Sequence, residues 1–190
     1  MTKQLITLLL SVLPVAAQGH IELPFDLAWN TKKIHLYDRD IRFSSCLNTD
    51  THSLCRAMKP DEIFFLAREI LFVFSLNDGY LDKLEIETKY TYDDLSGQHG
   101  RDIYQHMKGW AKMQNASETY EYYSLSGIPY PDINTFYECL DYLGCASYSS
   151  YDKDSNNNSA MVKLLSHSKD QGFIKIQYES SRYAQQTQPR

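Results

Sequence analysis

The sequence predicts an α+β fold: one antiparallel sheet built from hairpins, with helices packed on one of its faces. Three observations carry this expectation. Residues 69–75 and 84–90 are strand-like runs separated by Asn77-Asp78-Gly79, and residues 160–166 and 173–179 repeat the arrangement across a polar loop. Between the two hairpins, residues 101–113 carry apolar side chains at helical spacing. Strands grouped in this way, with helices before and between them, suit a sheet covered on one side. Whether the chain divides into two tandem helix-and-strand units is left open by the pattern alone.

In order along the chain, Lys3 precedes an apolar run from Leu5 to Leu13, and Val15-Ala16-Ala17 puts small residues where signal peptidase cuts. Residues 1–17 therefore read as a signal peptide, and the protein is expected in the periplasm or outside the cell. The apolar run falls short of the roughly 20 residues of a membrane-spanning helix, and no later segment is long enough. Residues 18–183 read as a single domain and 184–190 as a disordered polar tail.

A short helix is expected after Asn30 or Thr31, with Ile34, Tyr37 and Ile41 on one face, although Asp38 and Asp40 dilute the pattern. The first hairpin follows. Glu69 to Ser75 is apolar on both faces. The return strand alternates, with Leu84, Ile86, Thr88 and Tyr90 on one side and Lys83, Glu85, Glu87 and Lys89 on the other. In the helix at 101–113, Ile103, Met107, Trp110 and Ala111 share a stripe. A second helix is announced by Pro131-Asp132 and by Thr135 with Glu138 three residues on, the capping-box spacing. Ile133, Phe136, Tyr137 and Leu140 form its apolar side, and Gly144 is placed to end it. In the last strand Ile174, Ile176 and Tyr178 alternate with Lys175, Gln177 and Glu179.

Composition excludes some partners. The net charge is -5, and loss of Lys3 with the signal peptide makes it -6, while the basic residues are scattered among acids. Nucleic-acid binding, which needs a concentrated basic face, is not expected. Fifteen tyrosines stand against two tryptophans, many in polar company. Tyrosine of this kind serves either wet strand edges or recognition surfaces. The candidates for a binding surface are Tyr120, Tyr122, Tyr123, Tyr148 and Tyr151.

Four cysteines allow three pairings. Cys46 with Cys55 and Cys139 with Cys145 are favoured because each pair flanks a short loop, and a bridge of that size stabilises by about 2–3 kcal/mol. Neither spacing suits structural zinc. Asp152 to Asn158 starts like a calcium loop, but Asn157 stands where the sharp turn wants glycine and Lys163 where a bidentate glutamate should close the site. His99 and His106, near Asp93, Asp94 and Asp102, are candidates for an acid–base or metal set; two helical turns separate them by over ~10 Å, and solvated histidines explain them more simply. No Gly-x-Ser-x-Gly elbow, phosphate loop or His-Glu-x-x-His helix occurs, and no cofactor is expected. The expectation is a non-catalytic exported protein that binds another protein, as an inhibitor, immunity or envelope assembly factor. The alternative is a small secreted hydrolase whose site assembles only in three dimensions.

Three strings carry a resemblance: Ala28-Trp29-Asn30-Thr31-Lys32-Lys33, Phe74 to Leu84 (FSLNDGYLDKL) and Gly172 to Tyr178 (GFIKIQY). With them the chain resembles small secreted bacterial proteins of tandem helix and β-strand units, as in the β-lactamase inhibitor protein family and the outer-membrane assembly lipoproteins related to it. No lipobox cysteine stands at the cleavage site, so the lipoprotein branch does not fit. The resemblance implies non-catalytic protein binding and carries over no functional residue.

Overall fold

The computed structural model describes residues 20–112, 117–122, 135–141 and 146–187. In chain order the elements are α1 (Lys33–Tyr37), β1 (Phe43–Asn48), β2 (His52–Ala57), α2 (Pro60–Ile63), β3 (Ala67–Ser75), β4 (Leu81–Thr88), β5 (Thr91–Tyr92) and α3 (Gln98–Trp110). They continue with β6 (Ser117–Tyr122), α4 (Phe136–Asp141), β7 (Ala146–Lys153), β8 (Ser159–Ser168), β9 (Gln171–Glu179) and α5 (Ser181–Thr187). Eight strands form one antiparallel sheet in the order β1-β2-β3-β4-β9-β8-β7-β6, and the short β5 also pairs with β9. The sheet is thus two four-stranded meanders joined along their last strands. This is the α+β fold the sequence predicts, with its two halves fused edge to edge.

Both expected hairpins form. At the first turn Gly79 has φ +74°, the left-handed region that favours glycine, and its N–H donates to the Ser75 carbonyl at 2.9 Å. Beyond it Leu84, Ile86 and Thr88 are buried, as are Ile174, Ile176 and Tyr178 of β9 and Ala160, Val162 and Leu164 of β8. The period-2 alternation therefore translates directly into a core face. Full burial of a side chain such as Phe72 or Ile86 stabilises the fold by about 1.5–3 kcal/mol.

The helices α3 and α4 lie on that face. The capping box at the head of α4 is reciprocal: the Glu138 N–H donates to the Thr135 hydroxyl at 3.1 Å, and the Thr135 N–H donates to the Glu138 carboxylate at 3.0 Å. Tyr137 is fully buried and fits a slot between Gly100 of α3 and Gly172 of β9, where a Cβ on either would come within 2.0 Å of its hydroxyl or 2.2 Å of its ring. Helix α3 starts at Gln98, after Gly97 at φ +67°, and buries Tyr104 along with Met107. The Tyr104 hydroxyl lies 2.6 Å from that of Ser150, a partner no spacing rule reveals.

Several expectations are corrected. Helix α1 has five residues and turns Leu36 into the core, while Ile34 is 61% exposed. A helix this short has no repeating stripe, so the spacing of Ile34, Tyr37 and Ile41 carries no orientation. Strands β1 and β2 have no counterpart among the expected elements, because β1 is an exposed polar edge without alternation. The tail expected to be disordered from Ala184 continues as α5 through Thr187, held by Arg182, which ion-pairs with Asp78 and Asp82.

Cys46 and Cys55 are register partners on β1 and β2 and are joined by a disulfide. Cys139 is also disulfide-bonded. Cys145 lies outside the described residues, as do the signal peptide, Ile133 and Gly144. Among the described residues, no helix is long and apolar enough to cross a membrane.

Candidate functional site

The face of the sheet turned away from α3 and α4 is set by the polar half of each alternation. β4 contributes Lys83, Glu85 and Glu87, and β9 contributes Lys175, Gln177 and Glu179. Antiparallel register puts Lys83 opposite Glu179 and Glu87 opposite Lys175. Lys175 reaches Glu85 at 2.5 Å and Glu87 at 3.5 Å, and Lys83 reaches both Glu85 and Glu179 at 3.3 Å. These five charged side chains are only 15–26% exposed, so the ladder is held in place by its neighbours. Burial alone pushes the Lys175 ammonium down, but Glu85 and Glu87 outweigh it and hold it above the usual lysine range. Arg68 pairs with Glu87 and lies over the ring of Tyr90, which stacks on His167 with ring centroids 3.8 Å apart.

Next to this ladder β8 places Lys163 directly opposite Lys175. Among the described residues Lys163 has no carboxylate partner, whereas Lys175 beside it is held by Glu85 and Glu87. Tyr151 of β7 stands opposite Met161 of β8 and is 43% exposed on this same face.

Where α5 meets the sheet, a buried polar cluster replaces the ladder. Asp82 has no solvent exposure; its Oδ1 accepts from Ser180 at 2.8 Å and from Arg182 at 3.0 and 2.7 Å. Its Oδ2 stands 3.4 Å from His52 Nε2, while His52 Nδ1 lies 2.7 Å from the exposed hydroxyl of Thr51. Hydroxyl, imidazole and carboxylate follow one another in the order a hydrolase uses, but among the described residues neither His52 Nε2 nor Asp82 Oδ2 makes a hydrogen bond. The Asp82 carboxylate is nevertheless committed to Arg182, which docks α5.

The third feature is a groove of about 650 Å³ lined by the segment around Phe25, the loop after α1 and the start of α2. Its floor is the buried Ile41, with half-buried Phe25 and Ile63 beside it and exposed Met58 at the rim. Phe25 (φ 62°), Asp26 (φ 53°) and Asp40 (φ 58°) line it in the left-handed region, a strain of roughly 1–3 kcal/mol each. Arg39 ties the loop down by donating to the Phe25 carbonyl at 2.7 Å. No signal in the sequence brings residues 25, 39, 58 and 63 together.

The sequence-derived tyrosines do not share one surface. Tyr148 and Tyr151 are three residues apart on one strand and so belong to opposite faces. Tyr148 packs edge-on against Tyr104 and Phe136 beneath the helices and is half-buried, which makes it part of the core. Tyr120 and Tyr122 are placed by backbone register opposite Tyr148 and Ala146, and Tyr123 lies outside the described residues. The calcium-like loop is an Asx turn: Asp154 accepts from the backbone N–H groups of Asn156 and Asn158, each at 2.9 Å. Among the described residues no cluster of three His, Cys, Asp or Glu side chains could hold a metal, and His99 and His106 are both exposed. No protein-family model, curated protein or solved structure matches this chain.

Proposed function

We propose that this is an exported, non-catalytic protein that binds another protein through the open face of its sheet. The Cys46–Cys55 bridge supports an oxidising compartment, and the signal-like first seventeen residues support export into it. The observation that carries the binding reading is the open face itself: a preorganised charge ladder beside exposed Tyr151 and uncompensated Lys163. Such a surface loses little side-chain entropy on association, and an acidic partner group would neutralise Lys163. The resemblance to tandem β-lactamase inhibitor protein-like chains supports the same reading.

The test is affinity capture from the envelope fraction with the mature protein, run beside Tyr151→Ala and Lys163→Glu. A partner retained by the native protein should be lost by both variants, each weakening binding by about 2 kcal/mol or more without lowering the melting temperature. Equal recovery by all three proteins would refute the assignment to this face. The hydrolase alternative has one observation in its favour, the succession of Thr51, His52 and Asp82. Ester turnover that disappears in Thr51→Ala would establish it and overturn the non-catalytic reading.

A further inference from the structure

We propose that the free edge of β1 is a self-association surface, on which a second copy of this chain pairs antiparallel with the first about a two-fold axis through Leu47. The inference is independent of what the open face binds.

Backbone geometry comes first. β1 ends the sheet, and β2 is its only strand neighbour among the described residues. In an antiparallel pair, residues that exchange hydrogen bonds with the strand opposite alternate with residues whose N–H and C=O point the other way. Thr49 donates to the His52 carbonyl at 2.8 Å, which puts Thr49 and, two residues earlier, Leu47 in the bonded class. Cys46 and Asn48 therefore belong to the other class. The Cα–Cα distance of 4.1 Å between Cys46 and Cys55 agrees, since non-bonded pairs stand closer. Cys46 and Asn48 each aim one donor and one acceptor out of the sheet, and among the described residues no hydrogen-bonding group meets them.

This edge lacks the usual protection. Proteins block exposed edges with charge, proline or a bulge. Phe43–Asn48 contains no charged residue and no proline, and its bulge lies before Cys46. Between the two outward-facing residues stands Leu47, 68% exposed.

Self-complementarity names the occupant. A two-fold axis at Leu47 places Cys46 of each copy opposite Asn48 of the other, so the two outward N–H groups of each copy meet the two outward carbonyls of its mate. The Leu47 side chains then cover each other. The same axis brings the turn carrying Asp50 alongside Ser44 of the other copy, on the face where Lys33 Nζ lies 3.0 Å from Cys46 Sγ. Neither Lys33 nor Asp50 has a partner of opposite charge among the described residues, and both gain one across the axis. A strand from an unrelated protein would have to match backbone, leucine and charge together. Because the axis is perpendicular to the sheet, the open faces of both copies look the same way. A single strand pair falls below the roughly 1,200 Å² of standard interfaces, so the dimer is weak, with Kd on the order of 0.1 mM.

The test is sedimentation equilibrium of the disulfide-intact mature protein from about 10 µM to about 1 mM, with rapid amide exchange read by NMR over the same range. The average mass should climb from one chain towards two. In parallel the Cys46 and Asn48 amides should slow several-fold, while the His99 amide, in the open first turn of α3, stays constant. Asn48→Pro removes an outward N–H without touching the ladder to β2 and should weaken dimerisation at least about tenfold. A second variant leaves the strand as it is: Asp50→Lys should weaken dimerisation about fivefold, and Lys33→Glu combined with Asp50→Lys should recover it. A protein that stays monomeric to about 1 mM overturns the proposal, and protection of these amides only by another protein's extended segment does the same. So does a dimer that leaves the Cys46 and Asn48 amides unprotected or that is indifferent to both Asn48→Pro and Asp50→Lys.

Discussion

Helix α3 contains two glycines for which the structure predicts opposite responses to the same substitution. In an isolated helix, Gly→Ala stabilises by about 0.5–1 kcal/mol, because alanine loses less backbone freedom on folding. Gly109 has open space around a new Cβ, so Gly109→Ala should realise that gain. At Gly100 the methyl would fall 2.0 Å from the Tyr137 hydroxyl. Tyr137 cannot yield cheaply. It is fully buried, and its hydroxyl donates to Asp93 Oδ2 at 3.1 Å, the same oxygen that accepts the Gly100 N–H at 2.6 Å. Losing a hydrogen bond to a charged acceptor costs about 1.5–3 kcal/mol, and overpacking about 1–3 kcal/mol more. Set against the helix gain, Gly100→Ala should destabilise by about 1.5–5.5 kcal/mol. Denaturant unfolding, followed by circular dichroism, reads this as a lower midpoint with unchanged slope. The Tyr137→Phe background sharpens the test. Without the hydroxyl, the nearest remaining ring atom is 3.1 Å away, and Gly100→Ala should cost far less there than in the native protein. A Gly100→Ala protein as stable as the native one would refute the slot for Tyr137.

Two further outcomes follow from the same structure. The Cys46–Cys55 bridge spans nine residues, for which chain entropy gives about 2.6 kcal/mol, so Cys46→Ala/Cys55→Ala should lose roughly that in denaturant unfolding, and an undiminished midpoint would contradict it. Burial pushes the Asp154 carboxyl up, but Asn158 through its side chain and backbone, with the Ile21 and Asn156 N–H groups, outweighs this and holds it below the usual range. A carboxyl depressed in the folded state stabilises above its unfolded value of about 4, and that contribution disappears as pH falls through the folded value. Asp154→Asn should therefore be less stable than the native protein at neutral pH and approach it in acid; a gap that stays constant with pH would argue against the shift.

The parts legible in the sequence are those governed by neighbours a few residues away. Alternation in Leu84-Glu85-Ile86-Glu87 sets which side of β4 is apolar, because the strand period is two wherever the strand ends up. Asn77-Asp78-Gly79 dictates a reversal through the positive φ that only glycine adopts freely, and Thr135 with Glu138 closes its capping box within one turn. The Cys46–Cys55 bridge belongs to the same class, a contact across a short hairpin. Tyrosine defeats this kind of reasoning because its ring and its hydroxyl suit core and surface alike. Tyr148 and Tyr151 sit in similar polar strings, and what separates them is that α3 and α4 cover one face of β7 and leave the other open. The pairing of β4 with β9, which assembles the charge ladder, joins residues some ninety positions apart. So does the ion pair that docks α5, Arg182 with Asp82. The groove draws on Phe25, Arg39, Met58 and Ile63 from four separate segments. Local pattern determined the elements and their apolar faces; the surfaces that could bind anything arose from long-range packing, since a recognition site is a property of neighbours in space.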